Sequence, residues 1–185
     1  MPVQTLIVTI AVGLIAIASW RLARVWWKYR GARVVTCPEN RRPAGVAVAA
    51  GHVAATALGR APELRLASCS RWPRRANCGQ ECLAEIARSP EDCLVKNILT
   101  RWYEGKVCAS CGRAFGDIQW NVRTPALLRP GKTSLEWNQV PADTLHEVLA
   151  ASLPLCFACH MASTLVREHP ELAVDRPARS SNLSV

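Results

Sequence analysis

Residues 3–20 read VQTLIVTIAVGLIAIASW, without a single charge. At a rise of about 1.5 Å per residue, a helix of this length covers roughly 27 Å, close to the thickness of a hydrocarbon core. The polar residues within it, Gln4, Thr5, Thr9 and Ser19, are mild, and Thr and Ser can satisfy their hydroxyls on the helix's own carbonyls. Trp20, Trp26, Trp27 and Tyr29 follow as an aromatic belt where such a helix would leave the bilayer. No basic residue precedes the run, whereas Arg21, Arg24, Lys28, Arg30 and Arg33 come straight after it. The positive-inside rule then places the N-terminus outside and the chain from about Arg21 onward in the cytoplasm. A cleaved secretory signal is the competing reading, since Ala16-Ile17-Ala18 has the form of a cleavage site. That reading requires a positive segment ahead of the apolar run, and Met1-Pro2-Val3-Gln4-Thr5 supplies none. The expectation is a single-pass membrane protein in contact with the lipid bilayer.

The anchor changes how the composition of the rest is read. Half of the 185 residues are hydrophobic, but much of that share lies in the first segment, so the remainder of the chain is poor in core-forming residues. Phe and Tyr number two each, and seven tryptophans supply most of the aromatic bulk. A small domain with a thin core needs a staple. Nine cysteines can provide one: their number is odd and four of them form two C-x-x-C pairs, which favours metal ligation over a disulfide framework. A reducing cytoplasm disfavours structural disulfides as well. The net charge of +9 suits anionic lipid, nucleic acid or an acidic partner, and part of the excess is the topological cluster behind the anchor.

Local patterns predict mixed helix and strand. Arg21–Arg33 continues the first helix until Gly31 weakens it. Arg33–Cys37 reads as a strand ending at Pro38; Gly45–Leu58 holds a second strand and then a helix; Leu64–Cys69 alternates as a half-buried strand. Cys78–Ala87 suits a short helix. Ser89-Pro90-Glu91-Asp92 has the form of a helix start, and Leu94, Ile98 and Trp102 then share one stripe up to Gly105. Trp120–Trp137 reads as turns and short strands broken by Pro125 and Pro130-Gly131. Asp143 opens a helix with Leu145, Val148, Leu149 and Ser152 on one face. The chain from His169 onward is polar and proline-containing, as a disordered tail is.

The sharpest chemical signal is Cys108-Ala109-Ser110-Cys111-Gly112, two sulfurs two residues apart with a glycine for the tight turn behind a metal. Its partner is Cys156-Phe157-Ala158-Cys159, which opens the breaker-free run His160–Arg167. There the helix N-terminus favours thiolates. A knuckle first and a Cys pair opening a helix last resembles the treble-clef or zinc-ribbon class of zinc fingers, over roughly Val107–His169. The resemblance implies a structural zinc site at Cys108, Cys111, Cys156 and Cys159. The long gap between the pairs, with a helix in it, departs from that class.

Cys156-Phe157-Ala158-Cys159-His160 also spells C-x-x-C-H, the attachment motif of a c-type haem with His160 as axial ligand. Against it, the charge pattern faces the domain inward, Met161 is too close to His160 to reach the far axial position, and Cys108 and Cys111 would lose their partners. An earlier group, Cys37, Cys69, Cys78 and Cys82, is a looser set for a second site, as zinc or as an iron–sulfur cluster. In it Cys78 and Cys82 share a face if helical. Several of these cysteines would otherwise be small buried hydrophobes, and Cys93 is the one expected to stand apart. His52 and His146 have no paired ligand spacing, and the tryptophans read as packing bulk more than as base-stacking platforms.

The expected fold is therefore α+β: an anchor and basic juxtamembrane helix (1–33), a cysteine-rich α+β subdomain (34–105), a zinc-finger-like subdomain (106–169) and a disordered tail (170–185). No phosphate loop, dinucleotide fingerprint, HExxH or nucleophile elbow is present, so nothing points to catalysis or to a small-molecule substrate. The charge pattern behind the anchor and the zinc-finger resemblance together imply a cytoplasm-facing zinc-binding structural or interaction module with a protein partner; the alternative is electron transfer or redox sensing through a cluster or haem. Nucleic acid is a weaker candidate partner.

Overall fold

The computed structural model describes residues 2–172 apart from Arg60, Ala76 and Lys132. The first element, α1, is a single helix over Pro2–Tyr29. Its segment Val3–Tyr29 is long and apolar enough to cross a membrane, and the protein buries none of its most apolar window. The hydroxyl of Thr9 bonds back to the carbonyls of Thr5 (3.0 Å) and Leu6 (2.9 Å), so this polar group is satisfied within the helix. Gly31, at φ +100°, turns the chain out of the helix, and only Arg30 and Gly31 separate α1 from the first strand.

The described chain divides into two compact units: residues 1–102 with 140–148, and residues 103–139 with 149–185. In the first, strands β1 (Ala32–Thr36), β2 (Pro43–Val48) and β3 (Leu66–Cys69) form an antiparallel sheet in that order. Val34 faces Gly45 across β1–β2, and Cys69 faces Val46 across β2–β3. The outer edge of β1 is not left open: the Val34 N–H donates to the Cys93 carbonyl at 2.8 Å, and Arg33 bridges to Leu94. Helices α2 (Ala50–Thr56) and α3 (Leu83–Arg88) complete the frame. The core gathers Tyr29, Val35, Val46, Val48, Val53, Leu66 and Ile86, with Trp72 packed against it.

Arg33 is fully buried at the end of α1. Its guanidinium donates to the carbonyls of Tyr29 (2.6 Å), Lys28 (2.7 Å), Gly31 (3.0 Å) and Pro90 (3.3 Å). The residue that reads in the sequence as one more topological charge is thus a side-chain cap on the last carbonyls of the helix.

Helix α4 (Val95–Tyr103) starts later than the Ser89-Pro90 signature implies. Residues 90–93 form turns, because Cys93 and Leu94 are engaged by β1. The buried stripe is also rotated by one residue: Val95, Leu99 and Tyr103 are buried, whereas Leu94, Ile98 and Trp102 are only half-buried. Helix α5 (Leu145–Ala151) follows a 3-10 turn at Ala142–Thr144, and Leu145, Leu149 and Ser152 are buried as the pattern predicted.

The second unit holds an antiparallel sheet in the order β5–β4–β6, built from β4 (Ala126–Leu128), β5 (Ser134–Glu136) and β6 (Leu153–Leu155). Leu127 lies between Leu135 and Pro154. Pro154 is tolerated because β6 is an edge strand. Helix α6 (Phe157–Glu168) follows directly. The expected tail, 170–185, is described only at Pro170–Leu172, a 3-10 turn; 173–185 lie outside the described residues. The mixed helix and short-strand content behind a long apolar helix is the α+β architecture that the sequence predicted.

Candidate metal centre

The chain from Cys108 to Gly112 folds back on itself. The Cys108 N–H donates to the Arg113 carbonyl (2.8 Å) and the Gly112 N–H to the Cys108 carbonyl (2.9 Å), with Gly112 at φ +70°. That left-handed turn is why a glycine follows the second cysteine. The Ala109 N–H donates to the Pro154 carbonyl at 2.8 Å, which ties the knuckle to β6 just ahead of the second pair. Cys156 is the N-cap of α6 in extended conformation, and Cys159 lies in the first turn.

These two segments bring four sulfurs together. The Sγ atoms of Cys108, Cys111, Cys156 and Cys159 all lie within 4.8 Å of one another, a cluster that could hold a metal ion. Cys111 and Cys156 are 3.8 Å apart, sulfur to sulfur. A tetrahedral ion with metal–sulfur bonds of about 2.3 Å has edges of about 3.8 Å, so the donor set fits such an ion with little rearrangement. Cys108 is buried, Cys156 and Cys159 are half-buried and Cys111 is exposed, which leaves the site open on one side.

The electrostatics of the cluster ask for a cation. Burial opposes ionisation of Cys108, but backbone N–H groups of Cys156, Cys111 and Ser110 aimed at its sulfur outweigh this and hold it at about 6. The Cys156 N–H is 3.3 Å from that sulfur. For Cys159 a hydrogen bond with Ser110 favours the thiolate, yet burial and the sulfurs of Cys156, Cys111 and Cys108 push the thiol up to about 12. Cys156 is raised as well, chiefly by burial. One thiolate is therefore favoured at Cys108, while burial and the neighbouring sulfurs disfavour ionisation of Cys156 and Cys159, a conflict that a divalent ion among them removes.

His160 is not a member of the cluster. It is buried, its Nε2 is 3.5 Å from a Glu136 carboxylate oxygen, and its Nδ1 is buried without a hydrogen-bond partner. The sulfurs of Cys156 and Cys159 converge on Cys108 and Cys111 instead of standing free beside His160.

The earlier group behaves differently. Cys37 ends the β1 hairpin strand, with its N–H on the Arg42 carbonyl (2.9 Å); Cys69 closes β3; Cys82 is the N-cap of α3. The predicted helix over Cys78–Ala87 is shortened to Leu83–Arg88, so Cys78 and Cys82 do not share a helical face. The cause lies in a neighbouring strand: Gln80 adopts φ +55° and its side-chain oxygen accepts the Leu66 N–H at 3.0 Å, which holds residues 78–80 in an irregular path beside β3. Among the described residues, only the Cys108/Cys111/Cys156/Cys159 set has all its sulfurs within 4.8 Å. Sequence reasoning missed Arg71, whose Nη1 is 2.6 Å from the Cys37 sulfur and 2.8 Å from Glu39. Nothing in the Ser70–Arg75 turn sequence singles out that arginine from its neighbours. Comparison of the chain with protein-family models, with curated proteins and with solved structures returned no match.

Proposed function

We propose that this chain is a membrane-anchored, cytoplasm-facing zinc protein whose second unit is a structural or interaction module of the treble-clef kind. The observation that carries the reading is the four-sulfur cluster with edges suited to a tetrahedral ion. The order of knuckle, β4–β5 hairpin and Cys-capped helix supports the treble-clef resemblance; α5 and β6 lie between hairpin and helix. Part of this unit's core is the cysteine site itself: Cys108 is buried with Ala126 and Leu155, and Cys156 and Cys159 pack against them. Bound metal would then be folding energy for the unit, with zinc in a purely structural role and a protein partner as the natural client. The arginines that come after the apolar run support an inward-facing orientation.

The test is metal analysis and an absorption spectrum of the purified full chain in detergent, beside the Cys111→Ser/Cys159→Ser variant. Bound zinc that the variant loses, with no haem Soret band, is the expected result. A covalently attached haem, or zinc content unchanged in the variant, would overturn the reading. Orientation is checked separately by protease protection of the C-terminal portion in sealed vesicles; digestion from outside would reverse it.

A further inference from the structure

Five cysteines belong to the first unit, and their surroundings divide them sharply. Cys93 is buried, its S–H directed at the carbonyls of Ser89 and Pro90 (3.5 Å each), as a small core residue would be. The other four sit at the margin of the core: Cys37, Cys69 and Cys82 pack against it with one side only. Cys78 is exposed, and Cys37, Cys69 and Cys82 are half-buried. All four line one cavity of about 540 Å³, although they come from three separate segments of chain.

The wall of this cavity is also charged. Arg71, Arg74 and Arg75 line it, against Glu39 and Glu81. Arg71 donates to the Cys37 sulfur, and Glu39 holds Arg71 (2.8 Å) and Arg75 (2.6 Å) in place. A four-thiolate metal centre carries net negative charge, and N–H donors to its sulfurs stabilise that charge. Small buried hydrophobes need neither an open cavity nor a guanidinium on the sulfur.

We propose that Cys37, Cys69, Cys78 and Cys82 form a second thiolate-bound metal centre, for a zinc ion or an iron–sulfur cluster, with Arg71 as the positioning donor to Cys37. The four sulfurs are spread more widely than those of the Cys108 site and close around the occupant when it binds. This inference is independent of the function proposed for the second unit.

The experiment uses the full chain purified under reducing conditions, without oxygen. Zinc, iron and acid-labile sulfide are measured in wild type, Cys69→Ser/Cys82→Ser and Cys111→Ser/Cys159→Ser. The inference expects two centres per chain, each double variant losing one and keeping the other; a brown colour with iron and sulfide identifies the first-unit occupant as a cluster, and colourless protein as zinc. A single equivalent abolished by Cys111→Ser/Cys159→Ser and untouched by Cys69→Ser/Cys82→Ser would overturn it while leaving the proposed function standing. Native alkylation read by mass spectrometry needs no variant. Exposed Cys78 should be protected in the purified protein and react after chelation; immediate labelling of Cys78, or a disulfide among the four, would overturn the proposal.

Discussion

Replacing Arg33 with methionine should destabilise the first unit by about 3–5 kcal/mol, the combined cost of stripping the donor from several carbonyls. The figure comes from the acceptors left behind. The Tyr29 carbonyl is fully buried and would lose its 2.6 Å bond, at a cost of about 1–3 kcal/mol for an unpaired buried acceptor. The carbonyls of Lys28, Gly31 and Pro90 are only partly buried, so water recovers some of what they lose. Arg33→Lys keeps the charge but replaces a planar fork by a point donor, and should cost about half as much. Arg30→Met is the control, because Arg30 is exposed with its guanidinium 3.7 Å above the Trp27 ring, and it should shift stability by less than about 1 kcal/mol. Urea titration of the full chain in detergent, followed by tryptophan fluorescence, reads the difference through Trp72 in the core. With a slope of about 1–1.5 kcal/mol per molar urea, the midpoint should fall by roughly 2–5 M. A midpoint for Arg33→Met within the scatter of the Arg30→Met control would refute the capping role.

Tyr103 is buried, with its hydroxyl donating to the Ala126 carbonyl at 2.7 Å, and burial raises its phenol well above the usual range. The stabilisation is complete below the ordinary tyrosine value of about 10 and is lost as pH climbs beyond it. Alkaline unfolding of the second unit should therefore be coupled to a late rise in phenolate absorbance, and Tyr103→Phe should abolish that rise while costing about 1–3 kcal/mol at neutral pH. Gly45→Ala would set a Cβ 2.8 Å from the Ala142 side chain and 3.3 Å from the Asp143 nitrogen, so a loss of about 1–3 kcal/mol is expected in the same urea assay; a neutral result would show that the 3-10 turn at Ala142–Thr144 yields freely.

Features with a strong local cause were legible in the sequence. The uncharged run 3–20, the buried Leu145 and Leu149 of α5 and the Cys pair at the head of α6 all depend on neighbours in the chain, and all are present; the alternation expected over Leu64–Cys69 is not, because an irregularity in the pairing with β2 leaves Ala67 and Ser68 both exposed. The Cys108 and Cys156 pairs were found for the same reason, since each half of the cluster is a short motif. What escaped was set by distant partners. The start of α4 was misplaced because β1 takes the backbone of Cys93 and Leu94, and no local pattern reveals that claim. Cys78 left its helix because Gln80 bonds to Leu66. Arg33 looked like surface charge because a buried arginine and an exposed one are spelled alike.

The join between α1 and β1 has a mechanical meaning. A 28-residue helix is about 42 Å long, and about 30 Å suffices to cross hydrocarbon, so α1 is longer than a membrane span needs by about two turns. Its last turns enter the first unit directly: Tyr29 is part of its core, and Leu22, Ala23 and Trp26 share a groove with Gly51, Ala54 and Leu58 of the α2 segment. With two residues of connection and a guanidinium clamped across it, there is no tether about which this unit can swivel. Helix and sheet form one stiff lever, and a tilt or rotation of α1 turns the four-cysteine cavity through the same angle.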